Sequence, residues 1–175
     1  MHPFEDLVVP DHHVGIHWFG QSTIGLKHPD GTIIQVDPYY PRERPADRFR
    51  HARAPLMEEA LYTHWVLLTH DHGDHTCIES TDRMRAAYPN VRFVGPSESC
   101  ARLQESGVDL AQITEVSAAD SVTMGPFAAH TVLAKPHDGD AEAGIDPPGV
   151  QHLGFVVDCG GIRLYISGDP INNFA

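Results

Sequence analysis

Residues 65–75 read Trp-Val-Leu-Leu-Thr-His-Asp-His-Gly-Asp-His, a compact apolar run that ends in a burst of metal-ligating side chains. A run this short and this apolar, 65–69, suits a buried strand. Four candidate ligands, His70, His72, Asp74 and His75, then fall within six residues. Imidazole and carboxylate suit Zn²⁺ and its first-row neighbours. A strand end is a rigid launching point, and the loop after it can curl its side chains inward. Gly73 admits backbone geometry that other residues resist. A merely solvated polar loop would not be expected to gather three histidines at this spacing.

Working outward, three strand-like segments precede the motif, at 14–19, 22–26 and 32–36. Gly20-Gln21 and His28-Pro29-Asp30-Gly31 separate them with turn signals, so they read as a β-meander. Residues 1–13 read as an irregular arm and 37–55, rich in Pro and Arg, as a surface loop, with a short helix expected over 56–62. After the motif, the pattern predicts a helix over 78–88, a strand over 91–95, and a helix opened by Pro96-Ser97 and closed by Gly107. Strands are expected near 112–116, 121–124 and 127–134. A hairpin of 152–158 and 162–166 follows, with Gly160-Gly161 at its turn. Residues 138–150 read as a polar loop. The pattern predicts a single α/β domain over 1–175.

Length and composition set bounds. A chain of 175 residues suits one domain, and 41% hydrophobic residues argue against disorder. No apolar run approaches the ~20 residues a bilayer span needs, and the N-terminus shows no secretory pattern. Twelve Lys and Arg stand against 24 Asp and Glu, a formal net charge of −12. Such a surface repels nucleic-acid backbones. Three scattered cysteines, Cys77, Cys100 and Cys159, with no CxxC, point to a reducing, cytoplasmic setting. Cys77 is expected to be a small buried filler rather than a reactive thiol.

The H-x-H-x-D-H pattern at 70–75 resembles the signature of the metallo-β-lactamase-fold hydrolases. Trp18–Thr23 and Ile34–Tyr39 resemble the opening of that family. His152–Val157 and Leu164–Asp169 resemble its later hairpin, which ends in a metal-bridging aspartate. The nearest branch is that of the L-ascorbate-6-phosphate lactonase-like proteins. The resemblance implies a four-layer αβ/βα sandwich and two divalent metal ions, zinc foremost, with manganese or iron as alternatives. His70, His72 and a later histidine would hold one metal, Asp74 and His75 the other, and Asp169 would bridge them. Asp74 would also orient a metal-bridging hydroxide for attack on a lactone or other ester of a small, anionic, sugar-derived substrate. The later histidine is a choice among His137, His152 and His130. His137 is preferred because it enters a polar loop after a strand, and His130 is read as structural. Asp37, Asp71 and, as the unchosen histidine, His152 would support the site or line the substrate pocket. That pocket would draw on loops 37–55 and 138–150.

One departure from the family matters. The chain ends six residues after Asp169, before the strand-helix portion that normally supplies a last histidine to the second metal. The sandwich is therefore expected to lack its C-terminal part, with an exposed sheet face that favours a homo-oligomer. Two alternatives stay open: a phosphodiesterase or nuclease of the same fold, and a non-catalytic metal-binding remnant.

Overall fold

The computed structural model describes residues 2–171. A single helical turn, α1 (Pro3–Asp6), is capped by the His2 side chain, whose Nδ1 accepts from Phe4 N. Three antiparallel strands follow: β1 (Gly15–Gly20), β2 (Thr23–Lys27) and β3 (Ile33–Val36). Three parallel strands then extend the same sheet: β4 (Trp65–Leu67), β5 (Arg92–Gly95) and β6 (Ile113–Glu115). Parallel neighbours need a crossover. Between β4 and β5 it is α2 (Ile78–Ala87), and between β5 and β6 it is α3 (Ser97–Glu105). The second sheet is antiparallel, ordered β10-β9-β8-β7, from β7 (Ser121–Met124), β8 (Phe127–Leu133), β9 (Leu153–Cys159) and β10 (Ile162–Ile166).

The two sheets pack face to face. Leu26, Ile34, Val36 and Leu67 of the first meet Met124, Phe127, Phe155 and Val157 of the second in one buried cluster. The other face of β4 and β5, through Val66, Leu68 and Phe93, packs on Met84 of α2 and Leu103 of α3. Apolar contact on both faces is why 65–69 reads as an unbroken apolar run rather than an alternating one. A third cluster seats Phe4 of the arm against Phe19, Ile33 and Tyr40.

The structure departs from the expected elements at α1, in the arm read as irregular, and between residues 56 and 62. The helix expected over 56–62 is only a 3₁₀ turn, Glu58–Ala60. Leu56 and Leu61 both enter the third cluster, and residues five apart lie on different sides of an α-helix. The described residues form three layers of the expected sandwich: helices, sheet, sheet. The outer face of β8, with Ala128 and His130, is exposed.

The sheets are joined at one end, where Leu153 N donates to Thr69 O at 2.9 Å. The ends of β3, β4 and β10 and the start of β9 meet there. Phe155 is fully buried between the sheets. Replacing it with alanine should cost about 3–5 kcal/mol of stability, read as a lower denaturant midpoint with an unchanged slope.

Candidate metal centre

The site begins with Asp37, just past β3. Its backbone sits in the left-handed region, φ 44°, and its side chain is buried. One carboxylate oxygen accepts from Thr69 N at 2.8 Å, and the other from Thr69 Oγ1 at 2.7 Å and His75 Nδ1 at 2.8 Å. A non-glycine residue at positive φ costs energy and is kept where surrounding contacts over-determine it. Here the carboxylate fixes the end of β4 and the ring of His75 together. With Nδ1 donating to Asp37, the His75 lone pair is on Nε2. That atom lies 3.4 Å from Asp169 Oδ1 and 3.9 Å from Asp74 Oδ2.

The loop after β4 is a tight coil. His75 N and Thr76 N both donate to His72 O, and Thr76 Oγ1 donates to His70 O. The coil turns His70, His72 and His75 toward one point. His70 is the hub. Its ring centroid lies 4.5 Å from His72, 4.0 Å from His75 and 3.9 Å from His152, the last in a stacked pair. His70, His72 and His152 offer ligand atoms within 4.8 Å of one another, and so do His70, His75 and Asp169.

Asp169 is delivered by Gly168, φ 59°, whose missing side chain makes room. A Cβ there would lie 2.9 Å from Thr69 Cβ and 3.0 Å from Leu153 O. Asp169 Oδ2 lies 3.8 Å from His70 Nε2, so its carboxylate stands between His70 and His75.

Packing basic rings together shapes the electrostatics. Burial and the neighbouring His75, His152 and His72 lower the His70 pKa to about 2. Burial, Lys135 and His72 lower His152 to about 4. Burial opposes the charged form of His75 as well, but the hydrogen bond and charge of Asp37 prevail and raise it. Burial pushes the Asp37 carboxyl up against the pull of His75 and Thr69. His70 and His152 are thus held neutral, the form that ligates a metal.

The expected residues do not all gather here. His70, His72, His75 and Asp169 do. Asp74 stands at the open side, with its side chain 57% exposed. The structure brings His152, and not the preferred His137, beside His70 and His72. His137 is exposed in a turn, within electrostatic reach of Glu98, and belongs to no such cluster among the described residues. It lies four residues past the end of β8, where the chain has left the sheet. His152 immediately precedes β9, which is pinned to Thr69. Asp71 points away from the centre and pairs with Arg102 of α3 at 2.6 Å. His130 sits on the exposed face of β8 within 3.2 Å of Ser121 Oγ. Cys77 is buried beside Ser80.

With this geometry in view, comparison with known proteins places the fold. The Beta-lactamase superfamily domain matches residues 32–170. The chain belongs to that superfamily. A UPF0173 metal-dependent hydrolase of Methylobacterium nodulans is 26% identical over 155 residues, which cover 88% of this chain and 62% of the relative. One of Anaeromyxobacter dehalogenans strain 2CP-1 is 23% identical over 158 residues, 88% of this chain and 55% of the relative. The chain therefore spans somewhat more than half the length of these relatives. Among solved structures, a diiron β-hydroxylase from Streptomyces venezuelae superposes with a TM-score of 0.64 at 21% identity, covering 94% of this chain and 31% of that one. An isothiocyanate hydrolase from Delia radicum gut bacteria gives 0.63 at 18%, covering 89% and 62%. No described helix is long and apolar enough to cross a membrane.

The donor set fits a metal of the zinc and iron class. His70 Nε2 and His72 Nδ1 lie 3.0 Å apart, within hydrogen-bond reach, so both nitrogens stand where a single cation could take them as ligands. Replacing His152 with alanine should lower metal content per chain, whereas His137→Ala should leave it unchanged, by elemental analysis. The neutral histidines also give the metal-free protein an acid-sensitive stability. Between pH 6.5 and about 4 the unfolded chain protonates His152 while the folded one does not, so stability falls as pH falls. The raised His75 works in the opposite sense, its contribution fading as pH rises through its raised value. The difference between the native chain and His152→Gln isolates the first effect: melting temperature should fall less steeply with acid in the variant.

Proposed function

We propose that this chain carries the metal-binding half-site and catalytic face of a hydrolase that opens a lactone, or cleaves another ester, of a small anionic sugar-derived compound. The observation that carries the reading is the convergence of His70, His72, His152, His75 and Asp169 at one end of the sandwich. Two divalent ions held there, with Asp74 completing the second position, would supply Lewis acidity and a water of lowered pKa.

The chain's own residues do the rest. Asp37 keeps the His75 proton on Nδ1 and its lone pair aimed inward. Asp74 is solvent-facing and 3.9 Å from His75 Nε2, placed to orient water and accept its proton. His72 and His152 form one wall of a cleft of about 400 Å³, whose other walls include Lys135, Ile145 and Pro148. Lys135 is the cation in that lining, close enough to bear on both His70 and His152. Its ammonium can draw in a substrate carbonyl or oxyanion toward the metal face.

The curated relatives are named metal-dependent hydrolases, which supports hydrolysis. The lactone rests on the likeness of the sequence to the ascorbate-6-phosphate lactonase branch. The neighbours include both a hydroxylase and a hydrolase, so the fold by itself does not select the chemistry.

Purified protein should contain close to two metals per chain and open simple lactones faster than it cleaves bis-p-nitrophenyl phosphate. His70→Ala and Asp169→Asn should each reduce both metal content and turnover, about a hundredfold for turnover. Preferred cleavage of the phosphodiester would favour the nuclease-type alternative. Stoichiometric metal with no ester turnover would favour a binding module.

A further inference from the structure

The second cavity of interest lies outside the ligand set, over the loop between β3 and β4. Although the chain is acidic overall, residues 42–53 hold five arginines, Arg42, Arg44, Arg48, Arg50 and Arg53, against two acids, Glu43 and Asp47. Net charge conceals this local reversal. Arg42 is consumed by the buried carboxylate of Glu58, at 2.6 Å. Arg44 is locked: its Nε donates to His51 O at 2.9 Å, and its guanidinium lies 4.1 Å over the ring of Phe49. Among the described residues, the side chains of Arg48, Arg50 and Arg53 make no hydrogen bond or ion pair.

These four arginines line a single pocket of about 620 Å³ together with Trp18 and Tyr39, within the ~300–1,000 Å³ usual for small-molecule sites. Its apolar wall is ordered. Phe49 stacks on Tyr39 with centroids 6.0 Å apart. Trp18 is 70% exposed, yet its Nε1 is tied to Gln21 O at 2.8 Å. An exposed indole held in place beside unpaired guanidinium groups is an arrangement for gripping a ring that carries an oxyanion.

Tyr39 joins this pocket to the metal centre. It follows Asp37 by two residues, and its backbone N donates to Thr23 Oγ1, which itself donates to Asp37 O. Burial, Cys77 and Asp74 push its phenol up, against the pull of Arg44 and Arg48.

We infer that the pocket of Trp18, Tyr39, Arg44, Arg48, Arg50 and Arg53 is an anion subsite that holds a phosphate- or carboxylate-bearing ring of the substrate. The substrate assignment rests on the hydrolase reading, whereas the binding of the anion does not. The indole walls the pocket, so occupancy changes Trp18 emission. Trp65, the other tryptophan, packs against the inter-sheet core.

The test is fluorescence titration with phenyl phosphate, inorganic phosphate and phenol, in protein as purified and again after chelation. Phenyl phosphate should perturb the emission saturably and more tightly than inorganic phosphate, with phenol inert. The signal should vanish in Trp18→Phe and weaken as salt rises. Arg48→Gln combined with Arg50→Gln, both exposed and remote from the core, should weaken binding about tenfold or more, the scale of a lost charge-assisted contact. That dependence should survive chelation. Binding indifferent to the two arginines, an equal response to phenol, or no saturable response would overturn the inference. Metal content and lactone turnover are read separately, so a failed hydrolase reading would leave a distinct signature.

Discussion

A single buried carboxylate, Asp37, organises the metal face. Its oxygens hold the backbone and hydroxyl of Thr69 and the Nδ1 of His75 at 2.7–2.8 Å. Three consequences follow from that one group. The end of β4 is tied to the end of β3 beyond the last ladder bond. The histidine loop starts from a fixed point. His75 presents a defined tautomer to the centre. The left-handed backbone at Asp37 is the local cost of putting a carboxylate there, and the contacts it makes offset that cost.

Burial then does chemical work as well as structural work. His70 is enclosed by three other imidazoles. Burial makes a charge on His70 or His152 costly, and the basic groups beside them make it costlier still. His70 and His152 owe their neutral state first to burial and then to their basic neighbours. His75 is the exception because Asp37 draws a proton to it. That asymmetry sets Nδ1 as donor and leaves Nε2 for the open side.

Much of this was legible in the chain. The apolar run 65–69 and the ligand burst after it placed a buried strand and a metal loop. Turn residues placed β1 to β3, and Gly160-Gly161 placed the β9–β10 hairpin. Local reading named His152 as a candidate but preferred His137, because the choice between them turned on how each residue leaves its strand. The information was nonetheless present in the hairpin. Ile162 stands opposite Cys159 and Ile166 opposite Phe155, so the start of β9 and the end of β10 come together. A two-residue turn sets the register of the ladder, so His152 and Asp169 leave the hairpin at the same end. The short helix over 56–62 failed for a different reason. Its leucines answer to a tertiary cluster and not to helical period.

Charge gives the same lesson at larger scale. A formal net of −12 describes the far field and the solubility of the chain, and it argues against binding a nucleic-acid backbone. It does not describe any one cavity. Ion pairs remove Arg42, Arg83 and Arg102 from the balance, since each is matched to a carboxylate. Arg92 lies over the Trp65 ring, and the other arginines without a carboxylate partner stand near Trp18. An acidic protein with a confined basic pocket repels extended polyanions while admitting a small one, because a small anion senses the pocket within a Debye length and a long one senses the whole surface. The selectivity between small and extended anions is therefore a property of where the cations stand, and the fold places them one aromatic side chain away from the metal face.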